Sequence, residues 1–550
     1  MNMSLWNVYP RPRMKRDSFL CLNGAWDFSV CPPEEAPQYR ETIQVPFCPQ
    51  SRLSGIGRAI PQSSLCHYRK QFTLPEEFVK EKVLLHFGAV DQQATVTLNG
   101  HLLGTRTGGY LPFSFDITAC LQPVNVLTVT VSDRLDDAVL PYGKQKEKRG
   151  GMWYTPVSGI WQTVWLESVC DDYIHDLQVT TQNNTVYVKL EGTKSCGTLT
   201  LENGASWPVE NGQCTFSLDQ PERWSPENPH LYRFSVTTDS GDSVQSYFAF
   251  RTLSVESVNG VKRLCLNGKP YFFHGLLDQG YFPDGIFTPE KPEDYERDIL
   301  AAKALGFNTL RKHIKIEPQV FYEACDRLGI IIFQDMVNNG RYSFLRDTAL
   351  PTIGIKKMPG IFSRRSGAMK RAFITSMEET VAFLKNHPSI CLWTIFNEGW
   401  GQFEGTKMYR HLKTLDDTRF IDTASGWFEG CESDVNSPHV YFRPFRFKPH
   451  PLPTLLSEFG GYVKKEEGHL FNENASYGYK YFQNTDSYMQ ALEKLYEEQI
   501  LPAIPKGLCG CIYTQLTDVE DELNGIMTYD RQIVKVPAER MKKIAQKLKI

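Results

Sequence analysis

The sequence predicts three packed units: an N-terminal jelly-roll β-sandwich over residues 1–169, an immunoglobulin-like β-sandwich over 170–256 and a C-terminal (β/α)8 TIM barrel over 257–550. Three observations predict this. At 550 residues the chain is too long for a single hydrophobic core. Up to residue 253 it reads as short alternating strands separated by turn signals. From residue 264 strands alternate with helices, which fits a closed barrel better than an open sheet.

In the first unit, residues 83–88 and 94–98 alternate apolar and polar side chains, and Asn99-Gly100 after them predicts a hairpin. Residues 126–131 and 161–166 continue the pattern, and Trp153 and Trp161 are expected in the sandwich core. The second unit shows the same alternation at 185–190 and 232–236. In the third, strands are expected at 271–278, 307–313, 330–336, 390–398, 419–425, 437–442, 454–459 and 509–516. Helices are expected at 292–305, 318–328, 368–385, 406–415, 487–504 and 538–548. The Gly-, Arg- and Ser-rich segment 338–366 is expected to be a long active-site loop.

Bulk properties narrow the function. Apolar content is 41%, charged content 22% and net charge −3, which gives no electrostatic reason for a nucleic-acid partner. No apolar run is long enough to span a bilayer, and the first residues lack a basic and apolar leader, so no membrane association is expected. The 14 cysteines are scattered singly, the one close pair being Cys509 and Cys511, alternate residues of an expected strand. That argues against a zinc ribbon or a disulfide scaffold and predicts reduced thiols in a cytoplasm; no cofactor and no metal among the site residues are expected, and a structural metal is left open. The accessory sandwiches offer surfaces for a homo-oligomer.

The most informative stretch is the fourth barrel strand. Ile390-Cys391-Leu392-Trp393-Thr394-Ile395-Phe396 is almost unbroken apolar sequence, as in a strand buried on both faces, and it ends in Asn397-Glu398. A lone buried carboxylate is costly, so a Glu at the lip of such a strand calls for a function. The pattern recurs at Leu455-Leu456-Ser457-Glu458, ending the seventh strand. Barrel active sites form at the C-terminal strand ends, so Glu398 and Glu458 are expected to face one cleft.

Further motifs stand in order along the chain. They include Asn23-Gly24-Ala25-Trp26-Asp27-Phe28, Val45-Pro46-Phe47, Gly108-Gly109-Tyr110-Leu111-Pro112-Phe113 and Ser158-Gly159-Ile160-Trp161-Gln162. Trp224-Ser225-Pro226-Glu227-Asn228-Pro229, Asn386-His387-Pro388 before Asn397-Glu398, and Ser457-Glu458-Phe459-Gly460 follow. Together they resemble glycoside hydrolase family 2, the family of β-galactosidases, β-glucuronidases and β-mannosidases, over nearly the whole chain.

Retaining hydrolysis needs two carboxyl groups about 5–5.5 Å apart, one ionised to attack and one protonated to release the leaving group. The resemblance implies Glu458 as nucleophile and Glu398 as acid, then base. Glu398, in an apolar strand beside a second carboxylate, is expected to hold its proton more tightly. The resemblance further implies that Asn397 bonds the sugar 2-hydroxyl, that Arg311 keeps the nucleophile ionised and that Tyr441 bonds the nucleophile. Tyr441 and Arg311 also admit a purely structural reading in the barrel wall. Trp393 is expected in the core, and Trp400 beside the sugar.

The sugar is less legible. Glucuronidases of the family carry an Asn-x-Lys motif near the last strand, where this chain has Glu522 and Asn524. An acidic stretch there disfavours a uronate. Large β-galactosidases carry a metal-binding run after the first strand, where this chain has His274-Gly275-Leu276-Leu277-Asp278 instead. Asp278 either bonds a sugar hydroxyl or caps the barrel mouth. The basic loop with Arg443, Arg446 and Lys448 is either solvated or an anion clamp. The expectation is a retaining exo-β-glycosidase acting on a neutral β-hexoside, galactoside-like. The alternatives are a β-uronidase that uses the basic loop and a non-catalytic carbohydrate-binding protein.

Overall fold

The computed structural model describes residues 6–135, 137–349, 365–427, 430–441 and 443–550. Alternating sequence builds the first sandwich. Strand Asn125–Ser132 buries every second residue. It sits inside a six-stranded antiparallel sheet ordered Glu41–Val45, Gly24–Cys31, Leu65–Phe72, Asn125–Ser132, Gln93–Leu98, His101–Thr107. The facing sheet runs Leu20–Cys21, Val164–Val169, Lys82–Phe87, Phe113–Asp116. Trp26, Phe28, Tyr68, Phe87 and Val129 fill the space between them. The hairpin at Asn99-Gly100 forms with φ of 52° and 82°, pairing Leu98 with His101. A two-residue turn with both central φ positive matches the twist of its strands, which is why Asn-Gly suits it.

The second sandwich packs a three-stranded sheet (Asp176–Gln182, Thr185–Glu191, Gln213–Ser217) on a four-stranded one (Ser206–Val209, Gly197–Leu201, Tyr232–Thr238, Ser243–Phe248). Val188, Leu199, Phe216, Phe234 and Phe248 form its core.

Eight parallel strands then wind the barrel: β1 (Phe273–Asp278), β2 (Thr309–Lys312), β3 (Ile331–Asp335), β4 (Ile390–Asn397), β5 (Phe420–Ser425), β6 (His439–Val440), β7 (Thr454–Gly460) and β8 (Leu508–Thr514). Their order is 5-4-3-2-1-8-7-6. Between β5 and β6 the ring is joined by the Gly426 N–H donating to Ser437 O at 2.9 Å. Around it lie α1 (Glu293–Ala304), α2 (Gln319–Leu328), α3 (Gly367–Leu384), α4 (Gly405–Leu415), α5 (Thr485–Leu495) and α6 (Ala538–Lys547). Among the described residues no helix follows β5 or β6, so strict alternation stops there.

Local chemistry sets the helix ends. Ser366 and Asn484 cap α3 and α5 through their side-chain oxygens, accepting from Met369 N at 3.2 Å and Ser487 N at 2.9 Å. Gly329, with φ of 72°, ends α2. The helix expected over 487–504 is straight only to Leu495; it widens at Tyr496–Ile500 and tightens at Leu501–Lys506. Pro502 and Pro505 cannot donate backbone hydrogen bonds, which accounts for the break.

The barrel bottom is plugged by the hairpin Leu253–Val258/Val261–Leu266, which lays Leu264 and Leu266 against Phe273, Phe333 and Leu455. Each such side chain stabilises the fold by about 1.5–3 kcal/mol, and Phe333→Ala would cost about 3–5 kcal/mol. The first sandwich docks on the barrel through Tyr110, Tyr154 and Trp161, which share one apolar cluster with Tyr281 and Phe287. Trp161 lies 5.1 Å from Phe287 and Trp153 lies 5.2 Å from Trp400, ring centre to ring centre. Both tryptophans therefore face the barrel rather than the sandwich core, a correction to the sequence reading. Indole needs a large apolar partner, and the domain interface supplies one. All 14 cysteines carry free thiols, and no described helix is long and apolar enough to cross a membrane.

Candidate active site

Glu398 stands directly after β4 and Glu458 near the end of β7, so barrel closure brings them to one end of the fold. A carboxylate oxygen of each and a ring nitrogen of His439 lie within 4.8 Å of one another. Glu398 has φ of 52°, in the left-handed region that non-glycine residues rarely adopt. Its N–H donates to Ser425 O at 2.8 Å, which holds that conformation across β5. Such a backbone costs about 1–3 kcal/mol and is typical of sites where a side chain must be aimed.

Arg311, at the end of β2 and 1% exposed, organises the floor. Its guanidinium donates to Asp335 Oδ1 at 2.9 Å, Glu458 Oε1 at 3.0 Å, Asn397 Oδ1 at 2.9 Å and Ser457 O at 3.0 Å. Burial alone would weaken its charge, but Asp335 and Glu458 keep it firmly protonated. Tyr441 donates its hydroxyl to Glu458 Oε2 and lies 2.9 Å from Thr514 Oγ1. Burial, reinforced by the Glu458 charge, keeps Tyr441 a phenol. Burial pushes Glu458 upward as well, yet the charges of His439, Arg311 and His313 and the Tyr441 hydroxyl outweigh it. They hold the carboxyl down to about 2.

His439 links the two acids. Its Nδ1 lies 2.9 Å from Glu398 Oε1, while its Nε2 is 2.9 Å from Ser425 Oγ and 3.5 Å from Glu458 Oε1. The trio Glu398, His439 and Glu458 has metal-ligand spacing as well. Glu458 Oε1, however, already accepts from Arg311. A carboxylate bound to a cation on that side makes a poor metal ligand, so the donor set suits acid–base chemistry better.

The remaining wall is aromatic and partly comes from the first sandwich. Trp400 is buried, with its indole N–H on Gly340 O at 2.7 Å, and Asn338 donates to Trp400 O at 2.6 Å. Trp153 packs edge-on against both Trp400 and Tyr342. The segment around Trp153 is pinned by Tyr142 and Gly143, whose N–H groups reach Asn338 O at 3.1 and 3.3 Å. A Cβ at Gly143, where φ is 68°, would lie 2.8 Å from Tyr110 Oη and 3.0 Å from Ile314 O, so only glycine fits. Tyr154 donates its hydroxyl to Glu522, which Asn524 Nδ2 also reaches at 2.9 Å. Burial pushes Glu522 up, against the Tyr154 hydroxyl and the charge of Lys144. Tyr479 stacks on Tyr441 with ring centres 4.2 Å apart.

Of the residues singled out in the sequence, Glu398, Glu458, Asn397, Arg311 and Tyr441 converge directly, and Trp400 lies behind them. Asp278 does not face the cleft as a free group. Its Oδ2 pairs with Lys312 at 2.6 Å and its Oδ1 accepts from Gly280 N at 2.9 Å, so it braces the β1–β2 seam. Arg443 is exposed, and the chain beyond it leaves the mouth. Phe445 N donates to Gln499 Oε1 at 2.6 Å, and Phe447 packs at Gly507, before the start of β8. Arg446 and Lys448 go with that descending segment and are exposed. The expected loop 338–366 contributes Asn338 and Gly340 to the Trp400 contacts; its residues 350–364 lie outside the described ones.

Sequence reasoning missed His439, Asp335, His313, Trp153 and Lys144. His439 carries a usable signal, because it stands two residues before Tyr441 and period two puts both on one face. Asp335 ends its strand as Glu398 follows its own. It accepts from Arg311 and lies 2.7 Å from His313 Nδ1. Lys144 and Trp153 come from another domain and have no local signal.

Comparison with known proteins agrees with this architecture. Residues 257–550 match the family described as glycosyl hydrolases family 2, TIM barrel domain. Residues 59–158 match glycosyl hydrolase 2 galactose-binding domain-like, and residues 165–251 match glycosyl hydrolases family 2. A β-galactosidase of Priestia megaterium is 24% identical over 488 residues, covering 82% of this chain and 44% of that protein. The chain spans less than half the length of the curated relatives it matches. Among solved structures, a β-D-glucuronidase of Dictyoglomus thermophilum superposes with a TM-score of 0.73 at 18% identity, covering 98% of each chain. A β-galacturonidase of Eisenbergiella tayi gives 0.69 at 19%, again over 98% of each.

Proposed function

The chain belongs to glycosyl hydrolase family 2, and from that premise we propose that it is a retaining exo-β-glycosidase. The observation that carries the reading is the asymmetric carboxylate pair. Glu398 and Glu458 oxygens lie within 4.8 Å, and the cations and donors gather on Glu458. That spacing suits double displacement, since inverting enzymes hold their carboxyls about 6.5–9.5 Å apart to admit a water.

In this reading Glu458 attacks the anomeric carbon, its charge kept available by Arg311 and by the Tyr441 hydroxyl. Glu398 protonates the departing oxygen, then takes a proton from the water that releases the sugar. His439, in contact with both acids, positions Glu398 between those two roles. Asn397, its side-chain oxygen fixed by Arg311, offers its amide N–H to the sugar 2-hydroxyl.

We favour a neutral β-hexoside such as a galactoside, which is in keeping with the β-galactosidases among the relatives and with Glu522 in the wall. One observation favours a second reading, an acidic sugar. Lys144 extends from the first sandwich, Nζ 5.9 Å from the Trp153 ring centre, and its charge bears on Glu522 and His313. An acid-binding role therefore fits Lys144 better than Arg443. A panel of aryl β-galactoside, β-glucoside, β-glucuronide and β-galacturonide, run with wild type and Glu458→Gln, tests the assignment. Turnover of one sugar that vanishes in the variant supports it; binding without turnover, or turnover that persists in Glu458→Gln, contradicts it.

A further inference from the structure

A cavity of about 320 Å³ lies where the two sandwiches and the barrel meet, lined by residues of all three. It is distinct from the carboxylate cleft. Its wall includes buried polar atoms without a hydrogen-bond partner, namely Arg13 Nε and Nη2, Gln162 Nε2 and Gln319 Oε1, whereas His86 Nε2 lies 3.7 Å from Glu167 Oε2. Arg13 is 6% exposed. Its neighbour Arg16 also lines the cavity but is neutralised, at 2.9 Å from Glu167 and 2.8 Å from Asp242. Arg13 has no such pair. It lies over the Tyr247 ring at 5.6 Å, and Asp326, whose field reaches it, is engaged by Tyr247, His387 and Ser389 N. Burial without an ion pair drives the Arg13 guanidinium below its usual range.

A second feature faces the same space. The N-terminus of α2 opens onto it through Pro318, Gln319 and Val320, without a side-chain cap and without an acidic residue in its first turn. Free N–H groups at a ten-residue helix's start carry partial positive charge. His86 is held flat against Trp165, ring centres 4.8 Å apart, and burial lowers it to about 4, so it offers a neutral imidazole. An unpaired guanidinium, an amide N–H and an uncapped helix start belong to residues that line this one partly open volume. Asp176 is the acidic residue on its rim; it is exposed, and its charge also reaches Arg13.

We propose that this junction binds a small anion bearing a carboxylate or phosphate, with Arg13 as its charge partner and Gln162 and the α2 N-terminus as hydrogen-bond donors. Such a ligand would tie the three domains together, since its contacts come from different ones.

The test is thermal melting of the full chain in sodium phosphate, sodium D-glucuronate and D-galactose, against chloride at matched ionic strength. A saturable rise in Tm of about 3 °C or more with an anion but not with galactose is expected. It should be lost in Arg13→Met. A rise with phosphate alone, glucuronate alone or both supports the site and identifies its source. No rise beyond chloride, or an equal rise in Arg13→Met, overturns it. If Arg13→Met does not fold, Gln162→Leu decides: apparent affinity must fall at least about fivefold, and unchanged affinity overturns the proposal.

Discussion

His439 Nδ1 lies 2.9 Å from Glu398 Oε1, and the other nitrogen of the same ring faces Glu458 at 3.5 Å. The two acids are thus joined through an imidazole, while Arg311 binds only Glu458 of the pair. That division gives the two acids different surroundings, with the guanidinium on one of them alone. Replacing His439 with Phe should lower kcat by about 10–100-fold with a smaller change in KM, because the ring orients an acid rather than binding substrate. Steady-state kinetics on the best aryl glycoside measure it; an unchanged kcat would remove His439 from the mechanism.

The Glu458 carboxyl, held at about 2, is ionised throughout the range in which the protein is handled. A carboxylate with a depressed folded pKa stabilises the fold fully above its ordinary value, and that contribution fades as pH falls from there and is gone once pH has fallen through about 2. The acid limb of kcat/KM should therefore not follow Glu458 in the wild type. In Arg311→Met a cation is removed and the Glu458 pKa rises. The acid limb should then move to higher pH, and kcat should fall by about 100-fold or more. A profile that keeps its acid limb would show that Arg311 does not set the charge of Glu458.

Much of this arrangement was legible before the structure. The buried run ending at Asn397-Glu398 and its echo at Glu458 placed two acids at strand ends, because apolar periodicity and the cost of burying charge are local properties of sequence. Asn99-Gly100 specified its hairpin for the same reason. Trp153 and Trp161 were assigned to the wrong partner, since an apolar indole signals burial but not which domain buries it. For Asp278 and Arg443 the sequence left two readings open, and the structure pairs Asp278 with Lys312 and exposes Arg443. An acid near a barrel mouth and a basic loop near a site look alike in sequence, whether they face the cleft, an internal lysine or water.

Lys144 tests the sugar. If an acidic substituent docks beside it, Lys144→Met should reduce kcat/KM for an aryl β-uronide by about tenfold or more while leaving the galactoside within about threefold. Equal losses on both sugars would reduce Lys144 to a wall residue.

Trp153 tests whether the sandwich completes the cleft. It touches Trp400 and Tyr342 edge-on at 5.2 and 5.1 Å. Each such contact stabilises the docking by about 0.5–1.5 kcal/mol, so Trp153→Ala should lower Tm by about a few degrees and, with the cleft wall opened, raise KM by about 3–10-fold. A large drop in Tm at unchanged KM would make Trp153 a docking residue only.

The central claim is that Glu458 forms a covalent bond to the sugar. An activated 2-deoxy-2-fluoro aryl glycoside of the fastest-cleaved sugar should release its aryl group in a burst and leave a glycosyl mass on the protein. Digestion and mass spectrometry should locate that mass on the peptide containing Glu458. A label on another residue, or steady turnover of this compound with no labelled peptide, would contradict the account.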